Sequence, residues 1–458
     1  MVNPMTLKQL GVELQVTQKM NTLDELRKQP PGMVIGVATK KFWFSINQGN
    51  VQEFKKGAGK ILSLFIYQQL EKSKEKRKQL RPGKIKFKNI YKPYTGQDLT
   101  DKTLLVWRTG GIGDLCFIQP NMIWLKKRYP TCKIWFSCSP VYWPLVDNWD
   151  CYDELVPFPV DVERVRRSHY HATFEGVIER CVEAESTNSY ELFSKWMGTD
   201  VPKEELIPIQ KTKPENDEKV LRMLSRFGVK PYKFIAVQLR SSTPIRTPSS
   251  EDWGRWIIPL LRDGHFVIIT DSARMKDRLD MFIKLIIPEP FRDQMLNFAP
   301  YSTSLDMSIS LLNFAQLVIA PDTSMVHIAA GLRAPILGVY GAFPGDIRMS
   351  TYPNADWIEP PGNDTNICKY GGKNCYTHGQ VCPAGKPGQC APCYNRIDNE
   401  LFYKKVNKLL EIRKNLEYKE EVEDGKERKE DETGRTSQNA EGNNESTPEG
   451  DGTMPGMR

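Results

Sequence analysis

Twice along the chain a short apolar run closes on a polar or glycine-rich turn, passes into a helical pattern and returns to a second apolar run. No other feature of the sequence limits the fold as much. The first set begins at Leu104-Leu-Val-Trp107, which closes on Gly110-Gly-Ile-Gly113. Its spacing predicts a helix over Phe117–Tyr129, ended by Pro130, and a strand over Lys133–Ser139, with further strands at Glu154–Phe158 and His169–Phe174. After a polar bridge near Lys211–Lys219 the pattern restarts with a strand at Phe234–Leu239, a helix at Glu251–Leu261 and a strand at Phe266–Thr270. It continues with a helix at Ser304–Phe314, a strand at Leu317–Ala320, a helix at Met325–Gly331 and a strand at Ile336–Tyr340. Strand, helix, strand at this spacing is the βαβ signature of a parallel sheet. Two such sets predict an α/β chain of two Rossmann-like domains facing one another across a cleft. Ligands of such sheets bind beyond the carboxyl ends of the strands, where the strand order reverses. The loops Gly110–Asp114, Arg240–Arg246 and Asp322–His327 are therefore expected at the cleft.

The flanks differ in charge. Residues 1–100 hold 19 Lys/Arg against 7 Asp/Glu, residues 417–458 hold 6 against 13, and the whole chain of 458 residues carries a net +8. Short strands are expected within Met33–Ile46. An amphipathic helix is expected from Val51 to about Gln79, built on Phe54, Ile61, Leu62, Leu64, Phe65 and Leu70 and running into Lys72–Lys78. A basic front invites an anionic partner, lipid headgroups or nucleic acid, and the competing reading is a solvated helix face. From Glu417 the chain has almost no large apolar residues, so it cannot offset its ordering entropy and is expected to be disordered. The expected organisation is a basic extension (1–100), an N-terminal acceptor domain (101–225), a C-terminal donor domain (226–416) with a Cys-rich segment (368–393), and an acidic tail (417–458). The longest apolar run, residues 61–67, falls far short of the roughly 20 residues needed to cross a bilayer. No charged stretch followed by an apolar one opens the chain, so the expectation is a cytoplasmic protein.

Four motifs carry chemistry. Arg108-Thr-Gly-Gly-Ile-Gly-Asp114 fails as a dinucleotide fingerprint, since Cys116 holds the third glycine position and Ser137-Cys138-Ser139 ends the next strand without an acid. What remains is a tight turn at Gly111 and Gly113 with one carboxylate, Asp114, at the mouth of a helix. That carboxylate suits either a general base or a helix N-cap. The loop Gln238-Leu-Arg240-Ser241-Ser242-Thr243-Pro-Ile-Arg246-Thr247 sets hydroxyls and guanidiniums together as a phosphate cradle, or else is a surface loop with an ion pair. Asp322-Thr323-Ser324-Met-Val-His327 ends a strand and starts a small-residue helix, whose free N–H groups favour a pyrophosphate. There Asp322 could accept from a sugar hydroxyl, and His327 lies one turn in. Cys368, Cys375, Cys382, Cys390 and Cys393, with His378 nearby, offer enough ligands for a zinc ion; reduced, unliganded thiols are the alternative, and disulfides are disfavoured in a cytosolic chain.

Arg108–Pro130 (RTGGIGDLCFIQPNMIWLKKRYP) resembles the opening strand, turn and helix of glycosyltransferase family 9, the ADP-heptose:lipopolysaccharide heptosyltransferases. Asp322–Ala330 (DTSMVHIAA) resembles that family's donor-binding loop and helix. The resemblance implies a GT-B fold, two Rossmann-like domains with the active site between them. Asp114 falls on the family's proposed base for an inverting transfer. Ser241, Ser242 and Arg246 fall on the hydroxyl pair and basic residue that hold the donor phosphates, with Arg in place of the usual Lys. Asp322, Thr323, Ser324 and His327 fall on the donor-sugar and phosphate loop, with Ser324 in place of the more usual Gly. Asp271 is a candidate for the acid that helps to bind the nucleoside. A Cys cluster near the end of the second domain occurs in some members.

The implied reaction moves a heptose-like sugar from a nucleotide-diphosphate donor, ADP-linked, to a glycan or lipid-linked glycan acceptor, as in lipopolysaccharide biosynthesis. It is expected to need no cofactor and no catalytic metal, because protein cations take the leaving charge; zinc would be structural only. Acceptor access implies peripheral contact with an anionic membrane at its inner face. Two other classes remain. A nucleic-acid-binding protein led by the basic front lacks a recognised module and is disfavoured. A non-catalytic nucleotide-sugar binding protein is the other, and the intact Asp114, Asp322 and His327 favour an enzyme over it.

Overall fold

The computed structural model describes residues 22–24, 33–45, 51–63, 70, 73, 79–83, 92–341, 343–361, 382 and 390–413. Contacts divide the chain into two units, residues 1–410 and 411–458. The acidic tail expected from Glu417 lies outside the described residues.

β1 (Met33–Ala38), β2 (Phe42–Ser45), β3 (Val51–Phe54), β4 (Gly59–Ser63) and β5 (Leu80–Gly83) form two small antiparallel sheets, ordered β4-β1-β5 and β2-β3. The strands expected within Met33–Ile46 are present as β1 and β2. The helix expected from Val51 is not: its first half is β3 and β4. Phe54, Ile61 and Leu62 are buried as the helical spacing requires, but the chain between them turns at Gly57, which has a φ of 81°. A glycine in that conformation ends a helix and serves a tight turn, so two strands satisfy the same apolar spacing. Leu64, Phe65, Lys72 and residues 74–78 of the expected helix lie outside the described residues.

The first parallel sheet follows. β6 (Thr103–Trp107) leads into α1 (Ile112–Arg128), then β7 (Lys133–Cys138), β8 (Glu154–Pro157), β9 (Tyr170–Thr173) and α2 (Ser189–Met197). The strand order is β8-β7-β6-β9. Alternation along β6 sends Leu104 and Val106 into a core with Leu115, Ile118 and Met122 of α1. Leu105 and Trp107 point the other way, onto Ala38, Phe42, Phe54, Ile61 and Leu62. The N-terminal strands thus cover the sheet face that helices cover in an ordinary doubly wound domain, and the Ile61 N–H donates to the Val160 carbonyl at 3.0 Å.

The second sheet is larger. α3 (Pro214–Arg226) precedes β10 (Phe234–Gln238), α4 (Ser250–Arg262), β11 (Phe266–Thr270), α5 (Lys276–Ile286), β12 (Met295–Asn297) and α6 (Leu305–Asn313). β13 (Leu317–Pro321), α7 (Ser324–Gly331), β14 (Ile336–Val339), α8 (Asp346–Met349) and β15 (Ala355–Ile358) complete it. Its six parallel strands run β12-β11-β10-β13-β14-β15, the doubly wound order with a reversal between β10 and β13. β10 and β13 are buried at every position, as central strands covered on both faces must be. Between the sheets, Ile209 exchanges two 2.7 Å hydrogen bonds with the Gln119 side chain on α1, and the Gln210 N–H donates to the Gly331 carbonyl of α7 at 3.1 Å. The crossing segment is therefore strapped to a helix of each half. Past residue 390 the chain returns to α4, where Phe402 stacks on Trp256 with centroids 5.2 Å apart. Among the described residues no helix is long and apolar enough to cross a membrane.

His171 on β9 fixes a pH dependence. Its Nδ1 accepts from the Lys92 N–H at 2.7 Å, and its Nε2 lies 2.9 Å from the Val165 carbonyl, so the ring is neutral with its proton on Nε2. Burial lowers its pKa from 6.5 to about 4. Between those values the unfolded chain binds a proton that the folded chain does not, so stability falls as pH falls. The expected loss from this ring is up to about 3 kcal/mol by pH 4. Urea midpoints measured from pH 7 to 4 check it: His171→Gln should be less stable at pH 7 and lose less on acidification.

Candidate active site

The two strand-order reversals face each other. At the end of β6, Gly111 caps α1 with a φ of 82°, and a Cβ built there would lie 2.1 Å from Asp114 Oδ2. Only glycine fits. Gly111, not Asp114, is therefore the N-cap, and the cap reading of Asp114 does not hold. Asp114 sits in the first turn of α1, paired with Arg108 Nη2 at 2.5 Å. Arg108 is 3% exposed; it also donates from Nε to the Gly110 carbonyl at 3.0 Å and from Nη1 to the Phe174 carbonyl past the end of β9. Thr109 donates its hydroxyl to Glu175 Oε1 at 2.5 Å. The loops after β6 and β9 are thus tied together, with the Asp114 side chain still about a quarter exposed (23%).

In the second half the loops after β10 and β13 interlock. Ser241 Oγ donates to the Asp322 carbonyl at 2.7 Å, Arg246 Nη1 lies 3.2 Å from Asp322 Oδ2, and Arg246 Nη2 donates to Ser242 Oγ at 2.5 Å. The loop is therefore not a free surface loop. Asp322 is buried; burial opposes its charge, but the Arg246 and Arg348 guanidiniums outweigh that and hold the carboxyl below its ordinary range. Thr323 caps α7 in extended conformation and Ser324 opens the helix. His327 is buried, and burial with the Arg348 charge lowers its pKa to about 3. The ring is neutral, with Nδ1 2.6 Å from the Tyr352 hydroxyl, which lies 2.7 Å from that of Tyr190 on α2. Asp271, at the end of β11, pairs with Arg240 Nε at 2.7 Å beside the site.

A cavity of about 400 Å³ lies where these loops meet. The first half lines it with Gly111, Gly113 and Asp114, the second with Ser241, Ser242, Arg246, Asp322, Thr323, Ser324 and His327. Asp271 and Arg240, singled out with these residues, do not line it. Tyr142, Phe343 and Arg348 line it too, and the sequence reading missed them. Arg348 sits on a four-residue helix in a stretch with no periodic pattern, so no local signal marks it. Among Arg108, Asp114, Arg246, Asp322 and Arg348 the formal charges leave one positive in excess. The N-termini of α1 and α7 add further positive potential.

The Cys-rich segment is only partly described. Cys368, Cys375 and His378 lie outside the described residues. Cys382 and Cys393 are buried, and Cys390 Sγ lies 3.6 Å from the Pro248 carbonyl. Among the described residues no group of three or more His, Cys, Asp or Glu is arranged to hold a metal ion.

Residues 174–353 match the family model described as glycosyltransferase family 9 (heptosyltransferase). The matched stretch includes the β10 and β13 loops; Arg108–Asp114 precedes it. No curated protein matches the chain in sequence. Among solved structures, Escherichia coli ADP-heptose lipopolysaccharide heptosyltransferase II superposes with a TM-score of 0.51 at 14% identity, over 68% of this chain and 98% of that one. A glycosyltransferase of family 9 from Veillonella parvula gives 0.51 at 12% identity, over 69% and 98%. These likenesses establish the fold: two Rossmann-like domains in the GT-B arrangement, as the sequence resemblance implies.

The meeting of the halves depends on Gly113, where an added Cβ would lie 2.7 Å from His327 Cδ2. Gly113→Ala must push α1 from α7 or displace a buried ring. The expected loss is about 1–3 kcal/mol, read from urea unfolding.

Proposed function

We propose that this chain, a glycosyltransferase of the family 9 heptosyltransferase type, transfers a heptose-like sugar with inversion from a nucleoside-diphosphate donor, ADP-linked, to a hydroxyl of a glycan or lipid-linked glycan. One observation carries the reading: Asp114 from one half and the Arg246–Asp322 pair from the other line a single cavity with two helix N-termini. That division suits a reaction in which an acceptor enters from one side and a diphosphate leaves on the other. A lipid-linked acceptor would be met at the cytoplasmic face of a membrane, with the basic residues 1–100 toward anionic lipid.

In the proposed step the acceptor oxygen attacks the anomeric carbon on the face opposite the diphosphate. A carbon–oxygen bond forms there as the sugar–phosphate bond breaks, and its electron pair leaves with the diphosphate. Asp114 takes the hydroxyl proton. Arg246, the Ser241 and Ser242 hydroxyls and the N–H groups at Thr323 and Ser324 receive the leaving charge. Asp322 is held ionised, so it accepts from a sugar hydroxyl, and neutral His327 supplies a ring nitrogen for a hydrogen bond. Protein cations fill the place of a divalent metal in this scheme.

Turnover of ADP-heptose, followed as ADP release with a glycan acceptor present, tests the reading, and a chain that binds donor without turnover would fit the non-catalytic alternative. Asp114→Asn should lower kcat by a factor on the order of 10²–10⁴ while donor affinity stays near wild type. Equal loss of donor affinity would remove Asp114 from the role of base. The zinc reading of Cys368, Cys375, Cys382, Cys390 and Cys393 stands apart from this chemistry. If that segment forms a metal site, elemental analysis of protein purified without chelators should find close to one zinc per chain; its absence would leave these cysteines as thiols.

A further inference from the structure

Arg348 lies outside the loops assigned above to the donor's phosphates and sugar, yet it lines the same cavity. It is 6% exposed, with Nε 3.9 Å from Asp322 Oδ1. That carboxylate is paired more closely with Arg246, at 3.2 Å. One carboxylate cannot neutralise two guanidiniums, and a buried cation short of counter-charge is costly unless an anion is supplied. Other contacts fix the position of Arg348 without neutralising it. The guanidinium stands 4.4 Å from the Phe343 ring centroid and 5.7 Å from that of Phe117 on α1. Its Nη1 donates to the hydroxyl of Ser189, the first residue of α2, and that hydroxyl lies 3.4 Å from the Ile347 carbonyl. The side chain therefore spans from the second half of the protein to two helices of the first.

We propose that Arg348 is a second phosphate-binding cation of this cavity, acting beside Arg246 on the diphosphate of the donor and aimed by Ser189 and Phe343 as positioning residues. The proposal rests on the donor reading above and deepens it. A bound diphosphate carries more than one negative charge and gains another as the sugar departs. Arg246 alone, offset by Asp322, brings no net charge to meet it; Arg348 supplies the excess. Because Ser189 belongs to the first half and Asp322 to the second, phosphate bound by Arg348 bears on both halves at once.

Calorimetric titration of the full chain with ADP, inorganic pyrophosphate and adenosine tests this. Wild type should bind ADP and pyrophosphate; binding of neither would overturn the donor reading and this proposal with it. Arg348→Gln should weaken both by about 10- to 100-fold and leave adenosine within about twofold. Arg348→Lys keeps the charge but not the fork, and should lose less, about 3- to 10-fold. Ser189→Ala keeps the guanidinium and removes its anchor, and should weaken pyrophosphate about 3-fold with adenosine unchanged. Wild-type pyrophosphate affinity in a folded Arg348→Gln would overturn the role of Arg348 while leaving the donor reading in place. If that variant does not fold, wild-type affinity in both Arg348→Lys and Ser189→Ala overturns it equally.

Discussion

The site exists because two helices begin almost in contact. α1 and α7 start at the strand-order reversals of their sheets, and Gly113 faces the His327 ring with no room for a methyl group between them. The first turns of both helices line the cavity, with Gly111, Gly113 and Asp114 at one and Thr323, Ser324 and His327 at the other. The crossing segment reinforces this, because Gln119 on α1 and Gly331 on α7 each hold part of it. Two parallel sheets would each offer a crevice alone; the contact makes the crevices into one chamber.

Within that chamber the charges are arranged in layers. Arg108 is spent on the scaffold, holding Gly110, Phe174 and Asp114 together. Arg246 and Arg348 converge on Asp322 from different segments. The same guanidinium that helps keep Asp322 ionised helps keep His327 neutral. Cations next to a buried imidazole make its protonation costly, so positive charge is concentrated on groups whose geometry suits phosphate and withheld from the ring between them.

Much of this was legible in the sequence, and the part that was not has physical reasons. The first-half turn at Gly110–Asp114 and the loops after β10 and β13 show themselves through runs where residue type and spacing agree: an apolar strand, then Gly or Ser/Thr/Asp, then an apolar helix. Where agreement failed, the reading failed. The spacing through Phe54, Ile61 and Leu62 fits a helix only if Gly57 is ignored, and the chain turns there. α1 begins at Ile112 rather than Phe117 because Gly111 takes a backbone conformation that local apolar periodicity does not register. α5 escaped because only Leu279 and Phe282 are buried in it, β12 because three residues carry no pattern. Arg348 was beyond reach for a different reason: its place depends on tertiary contacts with Phe343, Ser189 and Asp322, not on its neighbours in sequence.

The two carboxylates of the cavity stand in different electrostatic surroundings. Asp322 is buried under two guanidiniums, and whatever burial does to raise its proton affinity, the cations undo and more. A carboxylate held that way is a poor acceptor for a proton in transit, but a firm acceptor for hydroxyl hydrogen bonds and a fixed anchor for Arg246. Asp114 lines the cavity from the other half, with about a quarter of its side chain open to solvent. Arg108 fixes its direction from behind. A base placed among Arg246 and Arg348 would compete with the diphosphate for the same cations. In the proposed reaction, a base on α1, tied to a cation already engaged with the backbone, would separate proton transfer from leaving-group charge. Such a separation would suit the proposed displacement, in which the nucleophile arrives on one face of the sugar and the diphosphate departs from the other.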